Sequence, residues 1–249
     1  MFDLTGKTIV ITGVGNDASL ATAAAKSVKA LGAKVVLAVQ SEKIRDRFAV
    51  DVIKETEAQV FVVDVTKPET VEAMVAGIDG PVHGLLHSIA FMRGVDLHGR
   101  VTDLSLEGLN EAIAISSHSL NTLVKAFEPK MTEGASVVTL SYNGSNKAVQ
   151  DYNGMGPVKA HLESTVRYLA MELGGKNIRV NAVSPGCTPT RAGSGINNFD
   201  KMLSSSSVAP LGRETHTTDV GPVVAFLMTD EAFAITGMNI QVDLGMHIL

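Results

Sequence analysis

The stretch KTIVITGVGNDASLATAAAKSVKALG, residues 7–32, decides the fold. Its first part, KTIVIT (7–12), is short, apolar and rich in β-branched residues, which predicts a buried strand. Its last part, SLATAAAKSVKALG (19–32), is rich in alanine and ends in glycine, which predicts a helix with a glycine C-cap. The stretch therefore predicts a strand, a tight turn and a helix at the start of an α/β chain.

The rest of the chain repeats this alternation. Strands that alternate with helices pair in parallel through right-handed crossovers. We therefore expect an α/β fold, a doubly wound parallel sheet of about seven strands with helices on both faces. No linker or change of composition divides the chain, so we expect residues 1–249 to form a single domain. Further strands are predicted at 34–39, 59–65, 84–90, 135–141, 178–185 and 238–245, and further helices at 41–56, 67–78, 120–131 and 158–173.

Composition excludes several classes of function. Apolar residues make up 45% of the chain and charged residues 19%, which suits a buried core. The net charge of -5 carries no electrostatic footprint for nucleic acid or a membrane surface. The single cysteine, Cys187, suits a reducing compartment. MFDLTGKTIVITG shows no long apolar region after a basic start, so we expect no signal peptide, and no apolar run approaches roughly 20 residues. We expect a cytoplasmic protein with no nucleic-acid or membrane partner.

The turn TGVGNDASLA (12–21) is suited to binding a phosphate. Backbone N–H groups and the dipole at a helix start attract anions. Gly13 and Gly15 let the backbone come close, and Ser19 can donate to a phosphate or cap the helix. Because Ala18 stands where the third glycine of GxGxxG would be, a tight strand-to-helix turn is the structural alternative. The position after the first strand favours phosphate binding.

The ends of the second and third strands bear on the choice of coenzyme. Dinucleotide folds place an acid after the second strand to hold the adenosine ribose. Here Gln40 can hydrogen-bond a ribose but offers no charge to a 2′-phosphate, although Lys43 and Arg45 lie close by. The sequence therefore favours NADH, with NADPH as the alternative. Asp64 and Val65 end the third strand, where an adenine edge would lie, and Asp64 is equally interpreted as belonging to a helix N-cap region.

Polar groups follow three further strands. HSIAF (87–91), SYN (141–143) and SPGCTPT (184–190) lie at the ends of the fourth, fifth and sixth strands. Ligands of open α/β sheets bind outside these carboxyl ends. We therefore expect the three segments to converge on one crevice.

Two of the chain's three tyrosines lie beside one lysine. Lys159 comes seven residues after Tyr152, so the two share a helix face if the helix begins near Tyr152. A nearby ammonium favours the phenolate, so we expect Lys159 to make the phenol a better acid. Such a phenol suits hydrogen bonding to an oxyanion as hydride arrives. The alternative is that Tyr142 and Tyr152 are core-edge residues with satisfied hydroxyls, and their position at the sheet edge favours catalysis.

The segment TPTRAGSGINNFDKMLSSSS, at about 188–207, is long for a plain connection. It is rich in Gly, Ser and Asn, and such loops in compact domains are often lids or binding loops. We expect it to bind substrate, and a simple surface insertion is the alternative.

Several conspicuous residues carry no predicted chemistry. His83 and His87 are four apart on or beside a strand, which separates them by about 13 Å, so we expect no metal site. His118 is interpreted as a packed helix histidine and Cys187 as a small buried thiol. Tyr168 is interpreted as a packing or subunit-contact residue.

The motifs together resemble those of the enoyl-acyl-carrier-protein reductases, in the divergent branch of the short-chain dehydrogenase/reductase superfamily. The resemblance runs nearly end to end. Its most specific parts are SGINNFDKML and the spacing of six residues between Tyr152 and Lys159, where the ordinary branch has three. It rests on TGVGNDASLA, Gln40, HSIAF, ISSHSL, LSYNGS, YNGMGPVK, VNAVSPG and SGINNFDKML.

The resemblance implies a Rossmann-type homotetramer that reduces the trans-2 double bond of an enoyl thioester, as in fatty acid elongation. The thioester is carried by acyl carrier protein or coenzyme A, and NADH gives hydride to its β-carbon. By resemblance, Tyr152 hydrogen-bonds the thioester carbonyl and Lys159 holds the nicotinamide ribose. Tyr142 lines the acyl pocket, Met92 touches substrate, and Lys201 meets the acidic carrier protein.

The resemblance also implies a row of cofactor contacts, running from the pyrophosphate and adenosine to the nicotinamide. At the pyrophosphate they are Gly13, Ser19 and Leu20, at the adenosine Gln40, and at the adenine Asp64 and Val65. On the nicotinamide side they are Ser88 and Ile89. The nicotinamide and the pyrophosphate are both bordered by Thr188, Pro189, Thr190, Arg191 and Ala192.

Four departures from the family pattern bear on the substrate. His118 stands where the family has a tyrosine, and residues 187–189 replace a more usual PIR. Arg191 stands where an apolar residue is common, and Leu244 gives VDLG in place of VDGG. A specialised enoyl substrate, a carbonyl substrate and a non-catalytic NADH-binding protein therefore remain alternatives.

Overall fold

The structure is a computed structural model that describes residues 2–249, and a parallel sheet of seven strands lies at its centre. The strands are β1 (Thr8–Thr12), β2 (Lys34–Val39), β3 (Gln59–Val62), β4 (Val82–His87), β5 (Met131–Leu140), β6 (Arg179–Pro185) and β7 (Asn239–Val242). Their order is β3-β2-β1-β4-β5-β6-β7, and every neighbouring pair is parallel. The predicted seven-stranded parallel sheet is confirmed.

Helices cover both faces of the sheet, as a doubly wound fold requires. They are α1 (Leu20–Ala30), α2 (Glu42–Arg47), α3 (Val50–Thr56), α4 (Pro68–Gly77), α5 (Gly94–His98), α6 (Leu106–Ile113), α7 (Ser119–Phe127), α8 (Met155–Leu173), α9 (Phe199–Ser205) and α10 (Thr217–Leu227). A π-helical turn, Ala114–His118, joins α6 to α7. Within residues 2–249, no helix combines the length and the apolar character needed to cross a bilayer.

The core has two layers because alternate residues of each strand point to opposite faces. Ile9 and Ile11 of β1 pack with α1, α3 and α10, whereas Val10 packs with α4, α7 and α8. All five residues of β1 are buried. Burial on both faces explains why the strands read as apolar runs without a polar alternation.

The predicted helix at 41–56 is wrong, because the segment forms two helices. α2 ends at Arg47, and α3 begins at Val50. Asp17, in the turn before α1, accepts a hydrogen bond from the backbone N of Val52 at 2.8 Å. The Asp17 carboxylate accepts from a backbone N–H in the first turn of α3 that has no carbonyl partner within the helix. It thereby fixes the start of α3 to the turn 12–21.

The helix predicted at 120–131 and the unpredicted helix α10 also depart from the sequence predictions. The helix predicted at 120–131 ends at Phe127, and β5 already begins at Met131. α10 was not predicted, since Pro222 lies inside it. It packs closely on α1, where a Cβ on Gly221 would lie 2.6 Å from the carbonyl oxygen of Ala23. A close crossing of this kind uses small residues and leaves a weak periodic signal.

Candidate active site

The crevice lies where the chain order of the sheet reverses, between β1 and β4. Gly13 follows β1 with φ +80, and a Cβ there would overlap the carbonyl oxygen of Ser88 beyond β4. The Thr12 hydroxyl donates to the carbonyl oxygen of Leu86 at 3.0 Å. The turn after β1 and the end of β4 therefore meet closely, and only glycine fits at position 13.

The turn before α1 is braced by its own side chains. Ser19 is the N-cap, and its Oγ accepts from the backbone N of Thr22 at 3.2 Å. The Thr22 hydroxyl donates to the carbonyl oxygen of Asn16 at 2.7 Å, and the Asn16 side chain accepts from the N of Ala18 at 2.8 Å. The predicted capping role of Ser19 is confirmed, and its contact with a phosphate stays a prediction.

Arg45, shortly after the end of β2, is a cation that already pairs with acidic side chains. Gln40 is exposed directly after β2. The Arg45 guanidinium pairs with Asp46, at 2.7 Å between Nε and Oδ1, and reaches Glu42 at 3.7 Å. Arg45 is therefore engaged by two acids on its own helix.

The end of β3 holds its acid in a turn. Asp64 Oδ1 accepts from the backbone N of Thr66 at 3.0 Å and from its hydroxyl at 2.6 Å. These bonds, led by the Thr66 hydroxyl, lower the pKa of Asp64. Because the N-cap of α4 is Lys67, Asp64 precedes the helix and does not cap it.

Tyr142 and Tyr152 lie against each other. Their ring centroids are 4.6 Å apart at an interplanar angle of 56°. Tyr152 is buried and Tyr142 is half-buried. A Cβ on Gly144 would overlap the Tyr152 ring and lie 3.3 Å from Cδ1 of Tyr142. The structure therefore brings the two predicted tyrosines together, with the backbone of the intervening segment pressed against both rings.

The prediction that Lys159 makes the Tyr152 phenol more acidic is wrong. Burial raises the pKa of Tyr152, and neighbouring Tyr142 and Glu163 raise it further. Burial also raises the pKa of Tyr142. The Lys159 ammonium instead donates to the carbonyl oxygen of Leu140 at 2.7 Å. Tyr152 is thus a neutral phenol that can donate a hydrogen bond over the ordinary range of pH.

Lys159 lies in α8 and is only 5% exposed. Burial lowers the pKa of its ammonium to about 8, against the opposing charge of Glu163. Tyr152 lies in the turn before α8, so the two residues do not share one helix face as the sequence suggested. Glycine at 154 and 156 and Pro157 surround the delayed start of the helix.

A buried histidine that the sequence analysis set aside lies at the same edge. His87 ends β4, with Nδ1 2.8 Å from the Thr139 hydroxyl and Nε2 2.8 Å from the Ser119 hydroxyl. Because the Ser119 hydroxyl donates to the carbonyl oxygen of Ile115, Nε2 carries the proton and donates to Ser119. Burial lowers the pKa of His87 to about 3, with a further contribution from the Lys159 charge. His87 is therefore a neutral packing partner below the site.

A third apolar cluster lies beyond the main core and contains the predicted substrate contacts. Met92, Tyr142 and Tyr152 all belong to it. Two further members are Met155, the first residue of α8, which was not predicted individually, and Ile196, which lies in the predicted substrate-binding segment 188–207. The other members are Ala112, Val158, Leu97, Leu104, Leu109, Ile113 and Val149.

The 188–207 segment holds structure of its own and contacts both sides of the crevice. It contains a 3-10 turn, Gly193–Gly195, and helix α9. The Arg191 guanidinium carbon lies 5.1 Å from the Phe48 ring centroid, beside the start of α3. Asn198 Nδ2 donates to Asp151 Oδ2 at 3.1 Å, next to Tyr152. The segment therefore contacts both the residues just before α3 and the turn that contains Tyr152.

The remaining predicted cofactor contacts vary in exposure. The Thr188 hydroxyl donates to the carbonyl oxygen of Gly186 at 2.8 Å, which fixes the chain after β6. Thr188 is buried, Leu20, Val65, Ser88, Ile89 and Thr190 are half-buried, and Pro189, Arg191 and Ala192 are exposed.

The packing interpretation of His118 is wrong, because His118 is exposed on the π-helical turn. Tyr168 is 67% exposed on α8, so it is not packed within this chain. A subunit contact at Tyr168 stays a prediction. Cys187 is half-buried, and burial raises the pKa of its thiol to about 11, so it is a protonated, unreactive thiol.

The sheet order, the glycine turn at the switch point and the Tyr–Lys pair at the carboxyl edge define a Rossmann-type oxidoreductase. The chain belongs to the enoyl-acyl-carrier-protein reductase family. The family profile described as Enoyl-(Acyl carrier protein) reductase matches residues 13–247.

Curated relatives and a solved structure match over nearly the whole chain. The NADH-type enoyl-acyl-carrier-protein reductase FabI of Bacillus subtilis is 38% identical over 99% of this chain and 98% of its own. The NADPH-type FabI of Staphylococcus aureus is 38% identical over the full length of both. The Bacillus cereus enoyl-acyl carrier protein reductase, crystallised with NADP+ and indole naphthyridinone, superposes with a TM-score of 0.95 at 39% identity, covering 100% of this chain and 99% of its own.

Proposed function

We propose that the protein reduces the trans-2 double bond of an enoyl thioester with NADH, as a step of fatty acid elongation. The observation that carries the proposal is the pair Tyr142 and Tyr152, whose ring centroids lie 4.6 Å apart within an apolar cluster at the carboxyl edge of the sheet. The reaction named for the relatives from Bacillus subtilis and Staphylococcus aureus supports it.

The residues of the crevice fit a dinucleotide. Gly13 leaves room where a Cβ would overlap Ser88, and α1 points its capped N-terminus at the same turn. Gly13, Ser19 and Leu20 would hold the pyrophosphate, and Lys159 the nicotinamide ribose. When bound there, NADH supplies the hydride that adds to the β-carbon of the substrate.

The tyrosines act on the substrate. Because its pKa is raised by burial, Tyr152 stays protonated and donates to the thioester carbonyl oxygen. That hydrogen bond strengthens as the oxygen gains the negative charge of an enolate. Tyr142 and Met92 line the space for the acyl chain, and their apolar surroundings exclude water from the reacting carbons.

The end of β2 favours NADH over NADPH. A 2′-phosphate needs a free cation, and Arg45 is already paired with Asp46 and Glu42, whereas the exposed Lys43 keeps NADPH as the alternative. Gln40 offers a neutral hydrogen-bonding group to the ribose hydroxyls. One of the relatives is named for NADH and another for NADPH. The coenzyme preference of this chain is therefore decided by measuring its activity with NADH and with NADPH.

The thioester carrier is proposed to be acyl carrier protein. Lys201 is exposed on α9, within the 188–207 segment that we propose as the substrate-binding loop of a single domain spanning residues 1–249. An exposed ammonium there attracts an acidic carrier. Coenzyme A thioesters are the alternative, and equal kcat/KM for the two carriers would favour them.

We propose a homotetramer. An open groove lies between α7 and α8, and beside it Tyr168 and Met171 are 67% and 76% exposed. Large apolar side chains exposed side by side on one helix face are typical of subunit contacts. A second copy of this chain is the proposed occupant of the groove.

A cytoplasmic location is proposed from the single cysteine, Cys187, since reducing compartments disfavour disulfide frameworks. Fractionation of the source cells with an antibody against the protein tests it.

The proposed function is tested by following NADH oxidation with a medium-length trans-2-enoyl thioester. Tyr152→Phe removes the hydroxyl alone and is expected to lower kcat roughly 100-fold or more. Tyr168→Phe removes the hydroxyl of the third tyrosine, outside the tyrosine pair, and keeps the ring for the proposed subunit contact, so it is expected to leave the rate unchanged. Oxidation of NADH with ketones or aldehydes but no enoyl thioester, or NADH binding without turnover on any substrate, would overturn the proposal.

A further inference from the structure

A buried carboxylate lies beneath the tyrosine pair without a part in the proposed chemistry. Glu163 is on α8, one turn after Lys159, and is only 6% exposed. A buried carboxylate is costly unless hydrogen bonds compensate it, so its partners indicate what it stabilises.

Four donors converge on this carboxylate. Oε1 accepts from the hydroxyls of Ser141 and Ser145 and from Asn239 Nδ2 at 2.8 Å. Oε2 accepts from Asn146 Nδ2 at 3.3 Å. Three of these donors flank Tyr142, one directly before it and two in the turn after it.

The turn held in this way is in contact with both tyrosine rings. Gly144 lies inside it, and a Cβ there would overlap the Tyr152 ring and lie 3.3 Å from Cδ1 of Tyr142. On its other side, a Cβ on Gly156 would lie 2.8 Å from the carbonyl oxygen of Gly144. The turn is therefore packed between the rings and the first turn of α8, and a small shift of its backbone moves the rings.

We propose that Glu163 is a positioning residue, whose carboxylate fixes the turn 141–146 and thereby sets the contact between the Tyr142 and Tyr152 rings. The catalytic consequence rests on the proposed function, whereas the positioning itself is a property of the protein without substrate. Charge-assisted hydrogen bonds to one acceptor are among the stronger ones in proteins, and here they join α8, β7 and the end of β5.

The conservative variant Glu163→Gln keeps the size of the side chain, removes its charge and replaces one acceptor oxygen with an amino group. In the present orientation of the Asn146 amide this amino group meets a second donor, so the bond to Asn146 is lost, and the hydrogen bonds that remain lose their charge assistance. The double variant Glu163→Gln with Asn146→Asp reverses donor and acceptor and restores the bond. Glu133→Gln, an exposed carboxylate at the far end of β5, is the control for loss of one charge.

The first readout is near-ultraviolet circular dichroism of the protein alone. The chain has no tryptophan, and its third tyrosine, Tyr168, is exposed on α8, so the tyrosine band reports mainly the Tyr142–Tyr152 pair. We expect Glu163→Gln to lose a large part of this band while far-ultraviolet dichroism and cooperative melting are retained. The double variant should recover most of it, and Glu133→Gln should match the wild type.

The second readout separates positioning from cofactor binding. At about pH 6, where Lys159 stays protonated, Glu163→Gln should lower kcat roughly tenfold or more and change the Kd for NADH less than about twofold. An unchanged tyrosine band with unchanged kcat would overturn the proposal. So would a raised Kd for NADH at normal kcat, or a double variant no better than the single one. If the wild type turns over no enoyl thioester, the proposed function fails and the dichroism alone decides the positioning role.

Discussion

Burial shifts the pKa values of Tyr152 and Lys159 in opposite directions. It raises the pKa of the Tyr152 phenol and lowers that of the Lys159 ammonium to about 8, because a dry site disfavours the charged form of both groups. The phenol therefore remains a hydrogen-bond donor, and the ammonium becomes the group that titrates near neutral pH.

Lys159 predicts a pH dependence of NADH binding. The ammonium is the form that holds the ribose, so affinity is full below pH 7 and falls as pH rises through about 8. Above that point the Kd should rise about tenfold for each pH unit. Titration of NADH binding from pH 6 to about 9.5 measures it.

Two variants identify the source of that change. Lys159→Met should bind weakly at every pH and show no rise, and Lys34→Met, an exposed lysine at the start of β2, should keep the wild-type curve. A wild-type Kd that stays flat to pH 9.5, or a rise that persists in Lys159→Met, would contradict the role given to Lys159.

At the scale of elements, the turn between β1 and α1 is in close contact with the segment after β4. Gly13→Ala places a Cβ on Ser88 and forces a residue with φ +80, which costs roughly 1–2 kcal/mol before any clash. We expect Tm to fall by several degrees and NADH affinity to be lost. Thermal unfolding and NADH titration measure the two effects.

Gly15 offers a matched control within the same turn. No atom lies within 4 Å of a Cβ built there. Gly15→Ala should therefore leave Tm near the wild-type value. Equal Tm values for the two alanine variants would refute the claim that the β1–β4 joint depends on glycine.

The sequence predicted the elements whose signal is local and missed those that depend on contacts. The strands stood out as apolar runs, and the tyrosine pair stood out because phenols are rare in this chain. The break between α2 and α3 depends on Asp17 binding Val52, which no local pattern shows. Glu163 looked like any acid in an amphipathic helix, and the pKa of Tyr152 depends on burial that only the fold defines.

At the scale of the whole molecule, parallel strand order brings the ends of β1, β4, β5 and β6 to one edge. Segments as distant in sequence as Gly13 and Ser88 thereby come into contact.

The tetramer proposal predicts that a charge on α8 disrupts assembly. Tyr168→Glu should reduce the molar mass measured by light scattering to that of a dimer or monomer, since a buried unpaired carboxylate opposes the contact. Val50→Asp, at the exposed first turn of α3, should stay tetrameric. A wild-type protein that is monomeric at micromolar concentration would contradict the proposal.

The most direct measurement follows the hydride itself. The protein is incubated with a trans-2-enoyl thioester and NADH that carries deuterium at the transferred position, and the product is analysed by mass spectrometry and NMR. We predict one deuterium at the β-carbon of a saturated acyl thioester. Deuterium on the carbon of a newly formed alcohol, or no transfer to any enoyl thioester, would contradict the account.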